Sequence, residues 1–135
     1  MSGQTDLRLL LKHLEPQLIA GEFVFVSLPS ATSRTIQDLS PISFFQEDEG
    51  CSLIVTKSAA DLEGLIYEGT FRQITLRVHS SLHAVGLTAV IADACAEQEI
   101  PINVVAAFHH DHLFVPSKKA EAALDTLRRL AASAR

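Results

Sequence analysis

Residues 71–116, FRQITLRVHSSLHAVGLTAVIADACAEQEIPINVVAAFHHDHLFVP, decide the fold of this chain. Over residues 71–79, Ile74, Leu76 and Val78 alternate with Gln73, Thr75, Arg77 and His79, which is the period of a half-buried strand. Ser80 or Ser81 then offers a side-chain oxygen to cap a helix over residues 82–98, which is almost entirely small or aliphatic. Gly86 inside that helix costs about 1 kcal/mol against alanine, so it marks either close packing on a sheet or the approach of a ligand. Two apolar runs, 102–108 and 113–116, flank the polar residues His109, His110, Asp111 and His112 and predict a β-hairpin. A last helix over 117–132 puts Ala120, Leu124, Leu127 and Leu130 on one face. The order is strand, helix, strand, strand, helix, and an antiparallel sheet with helices on one face buries it.

Upstream, Thr5 or Asp6 caps a helix that begins at Leu7 and ends in stages, through Pro16 and Gly21, near Ala20. Residues 22–28, EFVFVSL, are apolar at nearly every position, which predicts a strand covered on both faces. Residues 29–50 read as a long loop with at most a short strand or helical turn, and long ordered loops often serve function. Residues 51–57 form a strand, and residues 58–63 a short helix that Gly64 stops. An internal repeat emerges by pattern. Leu53-Ile54-Val55 with Ala60-Asp61 recurs as Leu113-Phe114-Val115 with Ala120-Glu121, a shift of 60, while Val24-Phe25-Val26 recurs as Val104-Val105-Ala106, a shift of 80. The difference of 20 assigns the 29–50 segment as an insertion in the first copy. The two halves run 1–68 and 69–135, and their junction is a natural place for a pocket.

Composition narrows the function. At 135 residues the chain makes one domain, or two very small ones sharing a core. A net charge of −5, with no Lys/Arg cluster longer than a pair such as Arg128-Arg129, argues against nucleic acid or an anionic membrane as partner. The absence of a charged-then-apolar leader and of about 18 consecutive apolar residues predicts a cytoplasmic protein. Cys51 and Cys95 sit in apolar runs and read as buried small hydrophobes. No G-x-S-x-G elbow, phosphate loop or dinucleotide fingerprint occurs, so no catalytic residue and no cofactor are expected. In the His109–His112 run, strand alternation turns His110 and His112 one way and His109 and Asp111 the other, which leaves too few ligands on one side for zinc. No metal is expected.

Val85-Gly86-Leu87, followed by Ala96-Glu97-Gln98-Glu99-Ile100-Pro101-Ile102-Asn103-Val104, resembles the ACT domain pattern, in which a helix leads through an Ile-x-Ile/Val segment into the second strand. The segment from Phe108 to Pro116 resembles the same hairpin in tandem-ACT proteins related to arginine sensors, with Asp111 at their aspartate. With Glu49-Gly50 and Tyr67-Glu68-Gly69-x-Phe71-Arg72 included, nearly the whole chain is similar to small bacterial tandem-ACT proteins of unassigned role. The resemblance implies an α+β, ferredoxin-like fold of duplicated αββα units, with a mostly antiparallel sheet and helices mainly on one face. It also implies a regulatory module that senses a small molecule, an amino acid, at an ACT–ACT interface, and a homodimer. By position the ligand residues are His79, Ser80, Ser81, Leu82, Val85 and Gly86 of the loop, Ile102, Asn103 and Val104 of the facing strand, and Asp111. The family's Asp-x-Pro-Gly-Leu is replaced here by Leu82-His83-Ala84-Val85-Gly86-Leu87, so Asp111, or Glu47 and Glu49, must provide the acidic anchor. A helix N-terminus presents unpaired N–H groups to a carboxylate, and serine hydroxyls add donors, which suits such a ligand. The alternative is a structural or homodimerisation module without a ligand, built on strands 22–28 and 102–108.

Overall fold

The computed structural model describes Gly3, residues 5–29 and residues 33–134. In chain order the elements are α1 (Leu7–Lys12), β1 (Pro16–Leu18), β2 (Phe23–Leu28), α2 (Ser33–Leu39), β3 (Ser43–Glu47), β4 (Gly50–Thr56), α3 (Lys57–Leu62), β5 (Phe71–Leu76), α4 (Leu87–Glu97), β6 (Asn103–Ala106), β7 (Asp111–Pro116), a 3-10 turn (Ser117–Lys119) and α5 (Ala120–Ser133). The fold is mixed α+β with antiparallel ladders, as expected of tandem ferredoxin-like units. Its residues form two compact units. One is Gly21–Phe71, and the other joins the residues up to Ala20 to those from Arg72 onward.

In the Gly21–Phe71 unit the strands lie in the order β3-β4-β2. Val24 and Val26 of β2 and Leu53 and Val55 of β4 share one face and pack with Leu39 of α2 and Ala60 of α3. The expectation that β2 is covered on both faces is corrected. Phe25 is 38% exposed and Ser27 is exposed, so the strand alternates. Phenylalanine at an outward position made an alternating strand look continuous, and the Phe25 ring instead lies edge-on to Phe71 at 4.9 Å. The 29–50 segment is not an insertion either, because it carries α2 and β3. In the β3–β4 hairpin Phe44 stands opposite Leu53, and in the β6–β7 hairpin Val104 stands opposite Leu113. Both strands therefore recur 60 residues on in identical register, and the second shift of 80 dissolves.

In the other unit the strand order is β1-β5-β7-β6. Ile74 and Leu76 of β5 and Leu113 and Val115 of β7 face Leu10 and Leu14 from the N-terminal segment, Ile91 and Cys95 of α4, and Ala123 and Leu127 of α5. α1 starts where the Asp6 carboxylate accepts the Leu9 N–H at 3.2 Å. It stops earlier than its sequence suggests. Glu15 takes a left-handed φ of 45°, Pro16 brings no N–H, and the chain becomes β1, pairing Pro16 with Leu76 and Leu18 with Ile74.

α4 begins at Leu87, five residues later than the serines suggest. Ser81 Oγ accepts the His83 N–H at 3.0 Å in a turn, and Gly86, at φ 101°, is the N-cap. The helix ends in a Schellman motif: Ile100 N–H donates to the Cys95 carbonyl at 2.9 Å and Glu99 N–H to that of Ala96 at 2.9 Å, with Glu99 left-handed at φ 58°. A Cβ on Gly86 would be strained by this φ and would meet Leu7 Cδ2 at 3.2 Å. Gly86→Ala should therefore cost about 1–2 kcal/mol in urea unfolding with an unchanged denaturant slope. No loss of stability would mean that the cap adopts another conformation.

Candidate functional site

Two neighbouring cavities open in the second unit at the N-terminal end of α4. The smaller, of about 170 Å3, is lined by Ser80, Ser81, Leu82, Gly86, Thr88 and Asp111, with Ala84, Leu87 and Ala106 completing the wall. Strand alternation explains its acid. Leu113 and Val115 face the helices, so Asp111, two residues earlier on β7, faces the same way at the sheet end nearest the start of α4. Directly across the ladder stands Ala106, whose small side chain leaves the carboxylate accessible. Ser80 Oγ donates to Asp111 Oδ2 at 3.2 Å, which orients the acid. Opposite, Gly86 caps α4 without a side-chain hydrogen bond, so the first-turn amides keep their positive potential for an anion. A carboxylate and an uncapped helix start thus flank one small polar cavity.

The larger cavity, of about 280 Å3, shares Ser80, Ser81 and Leu82 with the smaller one and adds Gly3, His79, His83 and Phe108. Gly3 lies so close to this loop that a Cβ there would stand 2.6 Å from the His79 carbonyl oxygen.

Of the ten residues expected at the site, His79, Ser80, Ser81, Leu82, Gly86 and Asp111 line one or both cavities. Val85 is 82% exposed and lines neither. Ile102 and Val104 pack against the hydrophobic core, and the Asn103 amide donates to the Phe114 carbonyl at 3.2 Å. Thus the far end of β6, at Ala106, reaches the cavity, and its start does not. Glu47 and Glu49 are exposed in the Gly21–Phe71 unit and line neither cavity. Gly3 and Phe108 carried no local signal, since tertiary approach alone brings them to the loop. Thr88 and Leu87 would have followed from placing the helix start at Gly86.

His112 occupies the opposite face of this sheet, with Gln73 and Thr75. His112 Nδ1 lies 3.3 Å from Gln73 Nε2 and 3.0 Å from Thr75 Oγ1, beside a Gln73-to-Thr75 bond of 2.9 Å. With the Gln73 amide nitrogen as donor, Nδ1 is the acceptor, an arrangement that favours the neutral ring. Burial, then the His110 charge, push the His112 pKa below the ordinary 6.5; Asp111 pulls against them, and Arg77 adds a smaller push down. Burial also lowers His110, with Arg77, His109 and His79 adding to it. Among the described residues no group of three or more histidine, cysteine, aspartate or glutamate side chains is placed to hold a metal. The unfolded chain binds the His112 proton more readily than the folded one. Its contribution is therefore complete above pH 6.5 and is lost as pH falls below that value. Urea midpoints measured from about pH 7.5 down to about pH 5.5 should decline, and His112→Gln should flatten part of the decline. Equal slopes in the two proteins would remove His112 from the account.

The ACT domain family profile matches residues 2–72 and a second ACT domain profile matches residues 68–129. The chain belongs to the ACT domain family, as two domains in tandem. It is 43% identical to a protein of unknown function from Vibrio cholerae, described as a possible transport protein, over 93% of this chain and 95% of that one, with a TM-score of 0.84. An Agrobacterium tumefaciens protein (18% identity, TM-score 0.68, 86% of this chain and 87% of that one) shares the fold. So does the ligand-free regulatory subunit of aspartate kinase from Thermus thermophilus (14% identity, TM-score 0.58, 85% and 95%). No curated protein matches the chain. ACT domains are regulatory domains that commonly bind amino acids.

Proposed function

We propose that this chain is a ligand-sensing regulatory module and that it binds a free amino acid in the cavity between Asp111 and the start of α4. One observation carries the reading: a carboxylate and a helix N-terminus with no side-chain cap line the same cavity of about 170 Å3. Asp111 takes the α-ammonium, held toward it by the Ser80 bond, and the amides at Leu87 and Thr88 take the α-carboxylate. Ser80 and Ser81, both buried, add hydroxyl groups to the wall. In this reading the chain performs no catalytic step and passes its ligand state to a partner protein. A cytoplasmic setting agrees with two buried cysteines in the free thiol form. Among the described residues no helix is long and apolar enough to cross a membrane.

Melting curves with each of the twenty amino acids test the reading. A ligand at 100 times its Kd adds about 2.7 kcal/mol, which raises the midpoint by roughly 8–10 °C in a chain of this size. No shift with any of the twenty would overturn it. A second reading, a homodimerisation module, is favoured by the edge strand β3, where Phe44 and Phe45 are 47% and 69% exposed. Light scattering tests that reading, and a strictly monomeric chain rejects it.

A further inference from the structure

We propose that the larger cavity is the side-chain subsite of the amino-acid site and that it selects a planar, uncharged ring. This inference rests on the amino-acid reading and adds the class of ligand. The loop at Ser80, Ser81 and Leu82 is common to both cavities, so a ligand anchored at Asp111 has the larger cavity as its neighbouring space. Three rings line that space: His79, His83 and Phe108. The His79 and Phe108 rings lie 6.4 Å apart at an interplanar angle of 40°, and His109 lies 5.5 Å from His79 and 5.0 Å, edge-on, from Phe108, so the ring-lined wall belongs to an aromatic cluster on which a further ring can pack. Phe108 is 60% exposed, an apolar surface that a bound ring would cover.

Size and charge agree. A cavity of about 150 Å3 is enough to admit benzene, and this one is about 280 Å3, with room for a substituted ring. Among the described residues lining it there is no Asp, Glu, Lys or Arg, so a charged side chain finds no full counter-charge. The imidazole edges of His79 and His83 can instead donate to or accept from a polar group on a ring. Gly3 closes one side, and its missing Cβ is what lets this residue lie against the His79–Ser81 backbone. Aliphatic side chains gain burial here too, but no stacking.

Calorimetric titration of the full chain with alanine, leucine, phenylalanine, tyrosine and histidine tests the proposal. Phenylalanine, tyrosine or histidine should bind at least tenfold more tightly than alanine and leucine. Phe108→Ala and His79→Ala should each reduce that ratio at least fivefold, and Phe108→Leu, which keeps the bulk without the ring, should reduce it as well. Alanine or leucine binding as tightly as the ring-bearing amino acids overturns the subsite and leaves the amino-acid reading standing. So does a ring preference that survives all three variants. Absence of binding by all five overturns the subsite, and only absence of binding by every one of the twenty amino acids overturns both.

Discussion

Asp111→Asn should weaken binding of the responsive amino acid about 10- to 100-fold while leaving the ligand-free midpoint nearly unchanged. Asparagine keeps the volume and an oxygen that can still accept from Ser80, whose bond to Asp111 Oδ2 is 3.2 Å. What it removes is the negative charge. A hydrogen bond between charged groups contributes about 1.5–3 kcal/mol, and each 1.4 kcal/mol is a factor of ten in Kd. Asp111 is only half-buried at the end of β7, so the folded protein itself depends little on the charge. Titration calorimetry on the two proteins reads the difference directly. An unchanged Kd would mean that the ammonium group is not held at Asp111.

Leu10→Ala should cost about 2–5 kcal/mol, a large share of the roughly 5–15 kcal/mol that stabilises a typical domain. Leu10 is fully buried although it lies on a helix of only six residues. It joins Leu14, Ile74, Ile91 and Leu127 in one core, so α1 holds the C-terminal elements together. Leu62→Ala is the control. That side chain is 85% exposed, and its loss should stay within about 0.5 kcal/mol. Urea unfolding separates the two, with the slope unchanged in both. A Leu10→Ala cost below about 1 kcal/mol would contradict the placement of the first twenty residues in that unit.

That placement also marks where sequence reasoning ran short. The chain reads as halves 1–68 and 69–135, and the family profiles meet at residues 68–72, yet the residues up to Ala20 pack with the second half. β1 has three residues, Pro-Gln-Leu, too few for any period, and only its pairing with β5 makes it a strand. By contrast β5 and β7 were legible, β5 because Ile74 and Leu76 alternate with Gln73 and Thr75, and β7 because an apolar run follows the polar His109–His112. The expected half-burial of β5 is corrected, since Gln73 and Thr75 are buried as well. The start of α4 was misread because Ser80 and Ser81 look like caps. The cap chosen is Gly86, whose left-handed φ a serine would not adopt at low cost. Asp111 was legible through the family resemblance and through the parity of β7. Phe108 and Gly3 were not, since only the tertiary fold brings these distant positions to the loop.

The central claim is that an amino acid sits between Asp111 and the first turn of α4. Amide NMR spectra recorded during titration with the amino acid that raises the midpoint most would test it directly. The account predicts that the largest shifts fall on residues 80–88 and 106–111, with Leu87, Thr88 and Asp111 among them. Largest shifts within residues 21–71, with the start of α4 unmoved, would contradict it.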